Sequence, residues 1–80
     1  MNPADLAAFA ISRVMAAGSA KDGCDDSWQE KNFNYHLDRA LRHAITHKLI
    51  AEGNQPPDGE RHIELAITRL AMALWKTNFN

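Results

Sequence analysis

An unbroken series of large apolar residues at four-residue intervals most constrains how this 80-residue chain can fold. The series is Leu37, Leu41, Ile45 and Leu49, within the segment LDRALRHAITHKL. Steps of four keep side chains on one side of an α-helix, whereas the side chains of a strand alternate at every second position. We therefore predict a helix over about residues 35–52, with Gly53 as its stop and its leucine-lined side turned towards the core.

Two further segments with helical spacing complete a prediction of three helices. The first covers about residues 3–17, with Asn2 as its N-cap and Gly18 as its stop. The other covers about residues 59–76, with Asp58 as its N-cap. Its expected core stripe consists of Ile63, Ala66, Ile67, Leu70 and Leu74. Because no segment sustains a two-residue alternation, we expect one small all-α domain, in which the first helix covers an antiparallel hairpin of the other two.

The connection between the first two predicted helices is polar but carries two large aromatic residues. Residues 18–34 include Trp28 and Phe33, which are costly to leave in water. We therefore expect an ordered loop, with a short helical turn near residues 27–31, rather than a free linker.

Composition limits the classes of function. The net charge is −1, so we expect neither direct DNA binding nor attraction to an anionic membrane. No apolar run reaches the roughly 18 residues of a membrane span. The single cysteine, Cys24, cannot form an internal disulfide, which favours a cytoplasmic location.

The third predicted helix is apolar on more than one side. Leu65, Met72 and Trp75 lie away from its expected core stripe. In a monomer they would form an exposed patch, and a chain this short has little core of its own. We therefore expect a homo-oligomer, or a host protein bound to this side.

Three of the four histidines fall on one side of the second predicted helix. His36, His43 and His47 lie within about 40° of each other on a helical wheel, about 140° from the centre of the leucine series. His43 and His47, one turn apart, could hold a divalent metal ion together with His62. Asp58, Glu60 and Glu64 are the alternative third ligands, and the antiparallel hairpin favours His47 as the neighbour of His62.

Two other interpretations of this histidine side remain open. It could be solvated or lie in an interface, or it could bind an anion with help from Arg39 and Arg42. The familiar sequence motifs of catalysis are absent, and the long helices carry few carboxylates for a magnesium site. We therefore expect a binding module rather than an autonomous enzyme.

The order of several short segments is similar to a known family. ISRVMAAGSAK, a tryptophan, LDRALRH, a glycine and DGERHIELAITRLAMAL resemble the phage-associated N-terminal domain of dATP/dGTP diphosphohydrolases. The residues that carry the resemblance are Gly18, Lys21, Trp28, Ala40, Leu41, Arg42, His43, Gly53, Asp58, His62 and Ala66. The resemblance implies a phage or prophage protein in the bacterial cytoplasm, a link to deoxynucleotides and a site at Arg42, His43 and His62.

A looser likeness concerns the phage proteins that sequester cyclic-nucleotide immune signals, which are small oligomeric helical hairpins. FNYH at 33–36 and AITRL at 66–70 are similar to their motifs. This likeness implies Tyr35 as a stacking residue and Arg39 or Arg42 as a phosphate ligand. It also implies an alternative function, an inhibitor of host defence that acts by protein contact or by sequestering a nucleotide.

Overall fold

A computed structural model describes residues 1–22 and 27–79, with the side chains of 1–18 and 27–79. It confirms the all-α prediction: the helices are α1 (Pro3–Asp22), α2 (Phe33–Ala51) and α3 (His62–Phe79). A 3-10 turn at Ser27–Glu30 lies where the short helical turn was expected. Cys24 lies outside the described residues.

Asparagine side chains define the starts of the first two helices. In α1 the side-chain oxygen of Asn2 accepts a hydrogen bond from the backbone N–H of Asp5 at 2.8 Å. In α2 Asn32 does the same for the N–H of Tyr35 at 2.9 Å. Each bond satisfies one of the N–H groups that a helix leaves unpaired at its first turn.

Helix α2 ends as its sequence predicts, at a glycine in the left-handed region. Gly53 has φ 78° and its N–H donates to the carbonyl of Ile50 at 3.1 Å. The next N–H, of Asn54, donates to Leu49 at 2.9 Å. This pair of bonds is a Schellman motif, which satisfies carbonyls at the helix end.

Three predicted helix boundaries are wrong by three residues or more. Helix α1 continues through Gly18 to Asp22, because nothing in the sequence after Gly18 breaks a helix before that point. Helix α3 starts at His62 rather than at 59, and it ends at Phe79 rather than at 76. Asp58 caps a turn instead of the helix, since its carboxylate accepts from the N–H of Glu60 at 3.0 Å.

Helix α3 is the central element of the domain. Helices α1 and α2 both pack against it, and they make no contact with each other in the described part of the chain. Arg13 on α1 forms a 2.6 Å ion pair with Glu64, which marks the flank of α3 that α1 covers. None of the described helices is both long enough and apolar enough to cross a membrane.

The buried core contains small and polar side chains rather than leucines. Among the side chains that the structure describes, its apolar members are Ala10, Ala40, Ala66 and Ala73, and its polar members are His36, His62 and Thr68. Alanine allows two helix backbones to approach closely, and the two histidines find hydrogen-bond partners where the helices meet. We call the contact of α2 with α3 through His36, Ala40, His43, His62, Ala66 and Ala73 the histidine seam.

The prediction that the leucine-lined side of α2 faces the core is therefore wrong. Leu41 is 61% exposed and Ile45 is 56% exposed, while on α3 Leu70 is 51% and Leu74 65% exposed. The histidine side, which we placed outside the main core, is the side that meets α3. Leu65 and Met72 were expected to lie in an exposed patch, and this expectation is also wrong. Both side chains are half-buried beside α1.

Replacing Gly18 by alanine tests the observed length of α1. Gly18 is inside the helix, and among the described residues no atom from outside the local helix backbone lies within 4 Å of the position of an added Cβ. We expect Gly18→Ala to raise the free energy of unfolding by about 0.5–1 kcal/mol, because glycine loses more backbone entropy on folding. Urea denaturation followed by circular dichroism measures the change.

Gly53→Ala is the matched control. The positive φ of Gly53 disfavours any side chain there, so this variant should lose about 1 kcal/mol. A loss of stability in Gly18→Ala would contradict a helix that continues through residue 18.

Candidate functional site

A cleft of about 860 Å³ lies between α1 and α2, with α3 as its floor. It exists because both outer helices pack on α3 and not on each other. Helix α1 contributes Arg13 and Val14, helix α2 contributes Tyr35 and His43, and the floor includes Arg69. The cleft therefore combines apolar walls with several polar groups, as ligand-binding clefts commonly do.

Three cationic side chains surround the ring of Tyr35. The Lys31 ammonium lies 5.2 Å from the ring centroid, the Arg39 guanidinium 5.3 Å and the Arg69 guanidinium 5.7 Å. Arg39 also donates to the Tyr35 hydroxyl oxygen from Nε at 3.3 Å and from Nη2 at 3.2 Å. We call these four side chains the Tyr35 cluster.

The described part of the chain gives the positive charge of the Tyr35 cluster no carboxylate partner. Among the described residues, no carboxylate forms an ion pair with Lys31, Arg39 or Arg69. The hydrogen bond from Arg39 lowers the pKa of the Tyr35 hydroxyl, burial opposes this effect, and the charges of Arg39, Arg69 and Lys31 reinforce it. The site therefore favours negative charge at the phenol oxygen and on any group that enters beside it.

A buried histidine holds Arg69 in place. His36 has no exposed surface, and its Nε2 lies 2.9 Å from the carbonyl oxygen of Trp28. Its Nδ1 accepts from Nη1 of Arg69 at 3.0 Å. A carbonyl can only accept, so we assign the neutral tautomer with the proton on Nε2. Both nitrogens of His36 are then satisfied, and the guanidinium of Arg69 is fixed at the floor of the cleft.

A second hydrogen-bonded chain connects α3 to α2. Nε2 of His62 lies 2.8 Å from Oδ2 of Asp58, and Nδ1 of His62 lies 2.9 Å from Nδ1 of His43. The N–H of Glu60 and then His62 lower the pKa of Asp58, which therefore accepts as a carboxylate. With neutral rings, the proton of His62 is on Nε2 and that of His43 is on Nδ1.

Burial determines the charge of the two seam histidines of α2, His36 and His43. It lowers the pKa of His36, and the charges of Arg69 and Lys76 add to this effect, although the bond to Trp28 opposes it. Burial also lowers the pKa of His43, and a proton on the adjacent ring of His62 would lower it further, because two positive rings in contact repel. Both rings are therefore neutral at pH 7, which the hydrogen-bond assignment requires.

The structure brings five of the residues that the sequence singled out into two separate groups. Tyr35 and Arg39 are in the Tyr35 cluster, and His43 is paired with His62, which is also bonded to Asp58. Arg42 is exposed, and it lines only a shallow depression beside Tyr35 and Arg39.

His43, His47 and His62 do not form a three-ligand metal site in this structure. His47 is exposed, and the described residues contain no group of three or more histidine, cysteine, aspartate or glutamate side chains placed to hold a metal ion. The expected pairing of His62 with His47 is wrong for a physical reason. Helix α3 starts several residues later than predicted, so its first residue lies opposite His43 instead.

Sequence reasoning missed the parts that Lys31, His36 and Arg69 play at the site. Arg69 interrupts the apolar spacing of the third helix, and an arginine at such a position is a detectable signal because its charge needs a partner. His36 was recognised only as a member of a face that we expected to lie outside the core. Lys31 gives no signal, because exposed lysines are common in loops.

Trp28 connects the 3-10 turn to both the seam and the cleft. Its ring centroid lies 5.3 Å from that of Trp75 and 6.1 Å from that of His36, in edge-to-face arrangements that remove part of this large side chain from water. Its indole Nε1 is buried without a hydrogen-bond partner in the described structure. Because a buried N–H without a partner costs free energy, Trp28 is a candidate donor to a ligand in the cleft that it lines.

No family model, curated protein or solved structure matches this chain.

The lowered pKa values of His36 and His43 predict that stability depends on pH. Both lie below the ordinary 6.5 in the folded state, so the unfolded chain takes up protons at higher pH than the folded chain. The contribution of His36 and His43 to the free energy of unfolding is complete well above pH 6.5. It decreases as the pH falls through 6.5 towards the folded pKa values. We expect the Tm to fall between about pH 7.5 and pH 5 in thermal unfolding.

Two glutamine variants distinguish the contribution of His43 to the pH dependence of Tm from that of an exposed histidine. His43→Gln removes one of the two shifted groups, so its Tm should change less over this interval than that of the native chain. His47→Gln removes an exposed histidine of the same helix and should keep the full change. An unchanged slope in His43→Gln would exclude His43 as a source of the pH dependence.

Proposed function

We propose that this protein is a non-catalytic module that binds a phosphate-bearing small molecule, of the nucleotide class, in the cleft between α1 and α2. The observation that carries the proposal is the Tyr35 cluster, in which three cations share one aromatic ring without a described carboxylate partner. Clustered like charges repel, so an entering anion would relieve that repulsion as well as form new bonds.

The donors of the cluster suit a phosphate group. Arginine presents planar pairs of N–H groups that match phosphate oxygens, and lysine adds a charge that can move towards the ligand. Arg69 is held from behind by His36, so its orientation does not have to be acquired on binding. Arg39 would exchange its bonds to the Tyr35 hydroxyl for stronger bonds to a phosphate.

The cleft also has the size and the aromatic groups for the rest of a nucleotide. Its volume of about 860 Å³ falls within the range of roughly 300–1,000 Å³ usual for small-molecule sites. Tyr35 and Trp28 both line it. An aromatic ring can stack on a base, and the buried indole N–H of Trp28 can donate to an acceptor on the ligand.

Glu30, Glu60 and Glu64 line the cleft. Binding without turnover is favoured because the described residues contain no group of three or more acidic, histidine or cysteine side chains placed to hold a metal ion. Glu64 pairs with Arg13 and Arg61, and the bond from Arg13 is the main cause of its lowered pKa. Asp58 is bonded to His62. Magnesium-assisted hydrolysis needs several oxygen ligands that converge on one point, and these two carboxylates serve other partners.

The identity of the nucleotide follows from the resemblances and is part of the proposal. The likeness to the dATP/dGTP diphosphohydrolase domain supports purine deoxynucleoside triphosphates, and the likeness to the phage sequestering proteins supports cyclic nucleotides. A protein that binds a nucleotide and does not convert it removes that nucleotide from solution. This property suits a phage inhibitor that sequesters a host signal.

Thermal unfolding with added nucleotide tests the proposal. We expect dATP, dGTP or a cyclic dinucleotide to raise the Tm by about 10 °C at a concentration near 100 times Kd, because the ligand stabilises only the folded state. Incubation of the same chain with dATP or dGTP and Mg²⁺ or Mn²⁺ should release no pyrophosphate. Turnover would contradict the non-catalytic part of the proposal.

Charge-matched variants locate the site. Arg39→Gln removes a member of the Tyr35 cluster and should weaken nucleotide binding about tenfold, the value of one charged hydrogen bond. Lys48→Gln removes a positive charge from the far end of the same helix and should leave Kd unchanged. Equal effects of the two variants would indicate a general charge effect, and no shift in Tm with any of these nucleotides would refute the proposal.

A further inference from the structure

One side of the α2–α3 hairpin carries a continuous set of exposed apolar side chains. The exposed members are Phe33, Leu41, Ile45, Ile63, Leu70 and Leu74. We call this set the open face. Half-buried Leu37 and Ile67 fall between its members on the same sides of their helices.

The positions of the seam residues place both halves of the open face on the same side of the hairpin. In α2 the apolar series is rotated by about 100–180° from His36, and in α3 it is rotated by about 80–140° from His62, in the same sense. The two helices are antiparallel, so rotations of the same sense from their shared contact lead to the same side. The cleft is on the other side, since Leu65, Thr68 and Met72 line it and no member of the open face does.

We propose that the open face binds the open face of a second copy of this chain, so that two hairpins form a four-helix bundle. This pairing is independent of the nucleotide proposal, because it uses the opposite side of α3.

The exposed area agrees with what a stable dimer needs. Each of the six exposed side chains leaves about half of its surface in water, or together roughly 600 Å² if a large apolar side chain presents on the order of 200 Å². A standard interface takes about 800 Å² from each partner, including its polar rim. The described core contains only alanines among its apolar members, so one copy alone buries little apolar surface.

The spacing of the residues points to a helical partner and to this chain in particular. Ile63, Ile67, Leu70 and Leu74 follow steps of four, three and four, which is the spacing of helices that pack nearly parallel in bundles. Helix α2 has the same steps of four, three and four at Leu37, Leu41, Ala44 and Lys48. The first three of these residues are apolar, and the last is charged. Two helices of 19 and 18 residues with matching spacing offer a self-complementary surface, as a two-fold dimer requires.

Sedimentation velocity of the full 80-residue chain, from about 1 to 100 µM, tests the pairing. We expect twice the monomer mass for the native chain. Leu70→Glu places a charge in the middle of the open face and should weaken the dimer by at least about 100-fold, with the helical circular dichroism retained. Leu41→Ser is a milder second variant on the other helix, and it should shift the equilibrium towards monomer in the same direction.

Leu6→Glu is the matched control. Leu6 is as exposed as the members of the open face, but it lies on α1, so this variant should remain a dimer. Equal dissociation of Leu6→Glu would overturn the proposal, as would a native chain that stays monomeric over the whole range. A monomeric native chain that floats with phosphatidylcholine vesicles would assign the open face to a lipid surface instead, and would also overturn it.

Discussion

The contact of α2 with α3 through the histidine seam is the interaction on which the rest of the structure depends. His36 is bonded on both ring nitrogens, to the carbonyl of Trp28 and to the guanidinium of Arg69. Those two bonds connect the 3-10 turn, α2 and α3 at one point. They offset the free-energy cost of burying a polar ring, and they fix the rotation of each helix about its own axis. Every other surface of the hairpin follows from that rotation.

The rotation gives α3 two flanks with different chemistry. One flank supports α1 and forms the floor of the cleft, where Arg69 joins the Tyr35 cluster. The other flank carries the apolar residues of the open face, which remain exposed in a single copy of the chain. Residues of this type usually form the core of a larger domain. Because the helices of this small chain pack through alanines and histidines, its large apolar side chains stay on the surface, where a partner can cover them. The proposed dimer and the proposed ligand site are thus two consequences of the same seam.

The net charge of −1 does not describe the electrostatics around Tyr35. Lys31, Arg39 and Arg69 lie around one ring, whereas Glu64 is paired with arginines on the α1 flank of α3. A net charge near zero provides little long-range attraction to polyanions, and it leaves local binding of a small anion open because such binding depends on the nearest few charges. The interaction of Tyr35 with Arg39, one helical turn apart, is local enough to be anticipated from the sequence. The arrival of Arg69 from another helix is not.

The sequence by itself determined the three helices, the N-cap at Asn2, the stop at Gly53 and the shared face of His36 and His43. These features depend on interactions within a few residues, which spacing and side-chain type reveal. The tertiary structure alone decided that the histidine side of α2, and not its leucine side, meets α3. Periodicity gives the angle between two faces of a helix but not the direction in which either one points. That direction depends on whether the polar groups of a face find partners elsewhere in the fold. Here Arg69 of α3 is the partner of His36 across the seam, and Asp58 is the partner of His62 beside it.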